Sequence, residues 1–141
     1  RAGSKIAMAT EMAEKTAKKI PDVPTSEEFS RTMGQVAWLM TLSKKHRSLP
    51  ISYQEAHLSA PLMFKQVRVF TKGKQPLAAV IWAYVSPEVK QKLEEGDYTM
   101  QLQDWRSGPE VAIVDCISPL LDPQMFINQF LSQVEDARKS I

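Results

Sequence analysis

The run Pro76-Leu-Ala-Ala-Val-Ile-Trp-Ala-Tyr-Val85 carries no charge and no alternation. It is far shorter than the roughly 20 apolar residues of a membrane span. Flanked by Gly73-Lys-Gln-Pro76 and by Ser86-Pro87, it reads as a strand buried on both faces. The preceding stretch, Gln66-Val-Arg-Val-Phe-Thr-Lys72, alternates instead, with Val67, Val69 and Thr71 on one face. The two form a β-hairpin of one edge-like and one buried strand. A strand covered on both sides requires layers above and below its sheet, which restricts the fold to layered α/β arrangements.

The remaining segments supply those layers. Thr25 with Glu28 forms a capping box, and Phe29, Met33, Val36 and Met40 follow at helical spacing, so a helix is expected to about Ser43 or Lys45. Gly34 within it suggests close approach of a neighbour. Ser52 with Glu55 reads as a second capping box, opening a short helix that Pro61 breaks or kinks. Ser86, Pro87 and Gly96 bracket another helix. Asp104–Pro109 is a loop, and Glu110–Ser118 a buried strand. A last helix starts at Asp122-Pro123 and puts Ile127, Phe130, Leu131 and Val134 on one face. The order α-α-β-β-α-β-α gives an α+β (α/β layered) domain with a central mixed sheet flanked by helices. Residues 1–25 read as an N-terminal extension and linker, with a helix or arm over 5–20 and a break at Pro21–Pro24; residues 26–141 form the domain.

Composition sets the outer limits. The 141 residues are 43% hydrophobic and 24% charged, enough for one soluble domain with a core. A net charge of +2 does not argue for nucleic acid, and the aromatic residues lie in buried-looking segments rather than among the basic ones. One cysteine, Cys116, excludes an internal disulfide framework and suits a reducing cytoplasm. No secretory signal is visible, and the start at Arg1 reads as a processed or trimmed chain.

Three residues carry potential chemistry. Asp115 lies among apolar neighbours in a buried strand, where an ionised carboxylate needs partners. It is either a structural aspartate held by amides or an arginine, or one that orients a histidine. His46 sits in Ser43-Lys-Lys-His-Arg-Ser-Leu-Pro50. It is either a solvated histidine at a helix C-terminus or a base at a cleft edge. Ser43, three residues earlier, shares its face at helical spacing. The interval from His46 to His57 matches no common metal motif, so no metal is expected. Cys116 falls on the face opposite Asp115 and reads as a buried, inert thiol. Lys44, Lys45 and Arg47, with Lys65, Arg68, Lys72 and Lys74, form a basic region suited to an acidic partner.

Together these residues resemble a known family. Gly34, Val36, Trp38, Leu39, Ser43, His46, Arg47 and Pro50 resemble the opening motif of the RTX-toxin activating lysine acyltransferases, the haemolysin-activator family. Pro76, Ala78, Trp82, Ala83 and Ser86 resemble its second block, and Asp104, Trp105, Ser107, Gly108, Asp115, Pro119 and Asp122 its third. Leu49 stands where the family commonly has tryptophan, and residues 1–25 match nothing in it. The resemblance covers about residues 29–135 and implies a GNAT-like acyltransferase fold with its C-terminal part missing. It also implies transfer of a fatty acyl chain from acyl-carrier protein, as the phosphopantetheine thioester cosubstrate, to internal lysines of an RTX protoxin. The implied setting is the bacterial cytoplasm, and the implied assembly a homodimer. His46 and Asp115 match the catalytic pair, and Ser43 the supporting serine or oxyanion donor.

On that reading His46 takes the lysine proton, or attacks the thioester itself through an acyl-imidazole. Lys44, Lys45 and Arg47 are then candidates for carrier docking, and Trp38, Met40 and Trp82 for an acyl channel. No tightly bound cofactor is expected. The alternative is a catalytically silent GNAT-like module that binds an acyl carrier or toxin partner.

Overall fold

The computed structural model describes residues 23–139, so the reading of residues 5–20 as a helix or arm lies outside the described residues. Helix α1, Ser26–Leu42, starts with the expected capping box: Thr25 Oγ1 accepts from the Glu28 amide, and the Glu28 carboxylate accepts from the Thr25 amide. The next segment splits into α2, Ile51–His57, and α3, Ser59–Met63. The break falls at Leu58, three residues before Pro61, because a proline clashes with the carbonyl four residues back and has no N–H to give it. The Ser52–Glu55 capping box does not form. Helix α2 begins two residues earlier, at Ile51 rather than Tyr53, and Pro50 holds the capping position without a side-chain bond.

Strands β1, Val67–Lys72, and β2, Gln75–Val85, form the predicted hairpin, turning through Gly73 at φ 62°. Helix α4, Pro87–Glu95, is capped by Ser86 Oγ and ends at Gly96, φ 85°. A single turn of 3₁₀ helix, Leu102–Trp105, leads to β3, Glu110–Ile117, and then α5, Pro123–Lys139.

The three described strands run in the order β1-β2-β3, and both pairings are antiparallel. The expected mixed sheet is therefore corrected. The chain leaves β2 at Val85 and re-enters beside it, Val85 facing Glu110, so the segment carrying α4 is an excursion at one end of the sheet rather than a crossover. Tyr84 fastens the return: its carbonyl accepts from the amides of Ser107 and Gly108 at 2.8 and 3.3 Å. Gln66, buried to 1% exposure, ties the same end together. Its amide donates to the carbonyls of Trp82 and Trp105, and its Oε1 accepts from Arg106.

Strand β2 is buried on both faces, as its composition requires. On one face Ala79, Ile81, Ala83 and Val85 pack with Val36, Leu39 and Met40 of α1, Leu58 at the junction of α2 and α3, and Leu62 of α3. On the other, Ala78, Val80 and Trp82 pack with Phe126 and Phe130 of α5. The α5 face differs from expectation. Phe126, Phe130 and Val134 form the stripe, Ile127 is half-buried and Leu131 is exposed, because the fourth-residue spacing from Phe126 aims both rings at β2. Gly34 lies exposed with open space around it, so no neighbour approaches there. Thr71 is exposed rather than aligned with Val67 and Val69, because the register shifts between Phe70 and Thr71.

Candidate active site

Helix α1 ends at Leu42, and Ser43 takes extended dihedrals, φ −91° and ψ 122°. The chain then keeps turning: the amides of His46 and Arg47 both donate to the Ser43 carbonyl, and the Leu49 amide donates to that of His46. This turn folds His46 back under the helix. The ring is 3% exposed, so the solvated helix-end histidine is not what forms. The Ser43 and His46 side chains meet through the turn rather than along a continued helix, with Oγ 2.7 Å from Nδ1.

A bulge in β3 supplies the partner. Ile81 pairs with Asp115 and Trp82 with Ile113, which leaves Val114 as an extra residue. Ala112, Val114 and Ile117 all pack toward α1, whereas Ile113 and Cys116 pack toward α5. Strict alternation from Ala112 would have turned Asp115 toward α5. The extra residue shifts the count, so Asp115 faces the same side as His46, the re-aiming that bulges perform.

The Asp115 side chain, 8% exposed, is held from four directions. Oδ2 lies 2.8 Å from His46 Nε2 and accepts from the Tyr53 hydroxyl at 2.9 Å. Oδ1 accepts from the Cys116 amide at 2.8 Å and lies 3.7 Å from Lys45 Nζ. Burial pushes this carboxyl up, but the hydrogen bond and charge of His46, the Tyr53 hydroxyl and Lys45 outweigh it and hold it below its ordinary value. The carboxylate is therefore ionised at neutral pH and accepts only. It follows that Nε2 of His46 carries a proton, and in the neutral ring Nδ1 accepts from Ser43. The result is a continuous line, Ser43–His46–Asp115, with the roles of a hydrolase triad and the two ring nitrogens exchanged.

Tyr53 escaped the sequence reading. Burial, then the charge and hydrogen bond of Asp115, push its phenol well above the ordinary range, so it stays a donor. Its ring packs on His57 with centroids 4.4 Å apart. The available signal was a tyrosine one turn after Pro50, on the first helix following the histidine turn. Cys116, half-buried rather than buried, faces away from Asp115; its thiol is pushed up to about 11, chiefly by burial and then by the Asp115 charge.

The other candidates are dispersed. Lys44, Lys45 and Arg47 are exposed around the turn. Met40 lies in the core on the His46 side of the sheet, Trp38 is 43% exposed on α1, and Trp82 lies on the far face against Phe130. These three do not line a common channel. A cavity of about 300 Å³ lies elsewhere, between Phe29, Thr32, Leu62 and Val67, with neither His46 nor Asp115 in its wall. Among the described residues no cluster of His, Cys, Asp or Glu has metal-binding geometry, and no helix is long and apolar enough to cross a membrane.

Comparison with known proteins supplies the context. The model of the RTX toxin acyltransferase family matches residues 25–139. The protein-lysine myristoyltransferase RtxC of Kingella kingae is 28% identical over 96 residues, covering 68% of this chain and 57% of that protein. The protein-lysine myristoyltransferase HlyC of Escherichia coli is 29% identical over 90 residues, covering 64% of this chain and 53% of that one. The uncharacterized protein sll0720 of Synechocystis sp. is 20% identical over 114 residues, covering 79% and 78%. The chain thus spans little more than half the length of the named acyltransferases it matches.

Proposed function

This chain belongs to the RTX toxin acyltransferase family, and from that premise we propose that its site transfers a fatty acyl group to lysine side chains of an RTX protoxin. The donor is the phosphopantetheine thioester of an acyl-carrier protein. The hydrogen-bonded line Ser43–His46–Asp115 carries this reading.

A lysine ammonium has no lone pair, so it must lose a proton before attacking a thioester carbonyl. As the nitrogen attacks, it sheds a further proton that needs a base. His46 is that base. Its Nδ1 lone pair is aimed at Ser43, so the proton travels through the Ser43 hydroxyl: Oγ receives it from the amine and gives its own to Nδ1. Asp115 holds the ring in the tautomer this requires and stabilises the imidazolium that forms. The acyl-imidazole route needs a nitrogen free to attack, and both are engaged, so the relay accords better with the geometry. The imidazolium then protonates the departing thiolate.

Lys44 and Arg47, exposed on the turn beside the dyad, suit docking of an acidic carrier. A GNAT-like fold, homodimeric assembly and bacterial cytoplasmic location belong to the same reading. A second reading, a silent module that holds an acylated carrier or toxin, draws on the 3% exposure of His46.

One experiment separates the two: transfer from acyl-carrier protein to a co-expressed protoxin, read as an acyl mass shift on lysine. Transfer that vanishes in His46→Ala and Asp115→Asn, with folding retained by circular dichroism, supports the enzyme. Full transfer in both variants, or none in the parent chain, overturns it.

A further inference from the structure

The site contains a lysine of its own. Lys45 immediately precedes His46, and its Nζ lies 3.7 Å from Asp115 Oδ1, on the carboxylate whose other oxygen His46 holds at 2.8 Å. The two partners of that carboxylate differ in access. The His46 side chain is 2% exposed, whereas that of Lys45 is 79% exposed. Lys45 is therefore a primary amine held beside the dyad by its backbone, with a side chain exposed to an incoming thioester.

We propose that Lys45 is an acyl acceptor in its own right, a self-modification site within the turn that carries the base. The inference rests on the lysine acyl transfer proposed above. An acceptor from another protein must be captured at each turnover, whereas Lys45 is always within a side chain's length of the dyad. Such tethering converts a bimolecular step into an intramolecular one. The reaction balances. Lys45 Nζ leaves Asp115 Oδ1, loses one proton to solvent and swings to the Ser43 end of the line, two residues back in the same turn, where it attacks the thioester carbonyl. A C–N bond forms, the C–S bond breaks, and the second proton passes through the Ser43–His46 line to the departing thiolate. The products are an amide on Lys45 and a free thiol, with no oxidant or reductant.

The modification has a consequence at the site. It removes a positive charge from beside Asp115, one of the groups that hold that carboxyl below its ordinary value. It also places a hydrocarbon chain on the exposed turn beside the dyad. A self-acylated chain should therefore be a slower transferase than a fresh one.

The test incubates the purified chain with a fatty acyl-carrier protein, alone and with a protoxin segment containing acceptor lysines, followed by peptide mapping of every lysine in both proteins. The expected result is a single acyl group on Lys45, about tenfold or more above any other lysine of the chain, as tethering requires. The fraction of chain marked per unit time should not depend on chain concentration at saturating donor. Lys45→Arg keeps the charge beside Asp115 and should lose the mark, and Ser43→Ala should slow its appearance. Lys45 left bare while the protoxin segment is acylated overturns this inference and leaves the transferase reading standing. Acyl groups spread over the exposed lysines in proportion to exposure overturn it as well. No acyl group on either protein brings down both.

Discussion

The Tyr53 hydroxyl and the His46 ring converge on one oxygen, Oδ2 of Asp115, at 2.9 and 2.8 Å. Two donors on a single oxygen keep the carboxylate from turning and leave Oδ1 for the Cys116 amide and Lys45. Tyr53 touches no group that reacts in the proposed chemistry, so its effect reaches His46 through Asp115.

Replacing Tyr53 by Phe removes one of the groups that lower the Asp115 carboxyl. Its midpoint should rise, as read by carboxylate NMR titration. The folded carboxyl lies below its unfolded value, so its contribution to stability is full above the unfolded value and lost as pH falls through the folded one. Tyr53→Phe narrows that gap. Urea unfolding should show a loss of about 1.5–3 kcal/mol at pH 7, typical of a hydrogen bond to a charged acceptor, and a smaller loss near pH 2. Equal losses at both pH values would mean that Tyr53 contributes packing alone.

Gly108 permits no side chain. A Cβ there would lie 2.5 Å from the Cα and N of Ser86 and 2.6 Å from the Val85 carbonyl, all backbone atoms. Gly108→Ala should cost about 3 kcal/mol or more, at the upper end of overpacking effects, because the end of β2 must move. Chemical denaturation measures it, and a loss below about 1 kcal/mol would show that the return loop can shift freely.

Phe130 packs against Trp82, ring centroids 4.4 Å apart, on the face of the sheet away from the dyad. Phe130→Ala should lower stability by about 3–5 kcal/mol, as for other buried aromatics. Activity per folded molecule should hold, since the sheet separates Phe130 from His46. Transfer assays normalised to the folded fraction decide this.

The Cys116 thiol, raised to about 11, should react slowly with iodoacetamide at pH 8 and accelerate up to about pH 11. Asp115→Asn removes a charge that raises it, so alkylation of this variant should begin at lower pH. An unchanged pH–rate curve would show that burial alone sets the thiol.

Much of the fold was legible because its signals are local. The Thr25–Glu28 box and the Ser86-Pro87…Gly96 bracket each act within a few residues, and both appear as read. The apolar composition of β2 required two covering layers, and both are present. The Ser52–Glu55 box failed because Pro50 fixes the chain direction and starts α2 two residues sooner. The dyad joins residues 69 positions apart, and only a motif pattern connected them in advance. Gln66, at the head of the alternating stretch, and Asp104, in the third motif block, carry no local sign of burial; their value lies in carbonyls and amides that only the folded chain brings near. Trp38, Met40 and Trp82 share an apolar character that carries no information about which face of a sheet each will occupy.

The extra residue at Val114 makes β3 a strand with two phases. Up to that point, membership of the α1 side follows even numbers, Ala112 and Val114; beyond it, odd numbers, Asp115 and Ile117. Keeping Val114 but drawing the bulge out into regular pairing would leave the composition of the strand untouched and swap the parity of everything after it. The thiol of Cys116 would then point at His46, and the carboxylate into the aromatic layer of α5. One backbone irregularity, rather than the identity of any side chain, thus decides which chemical group the histidine meets.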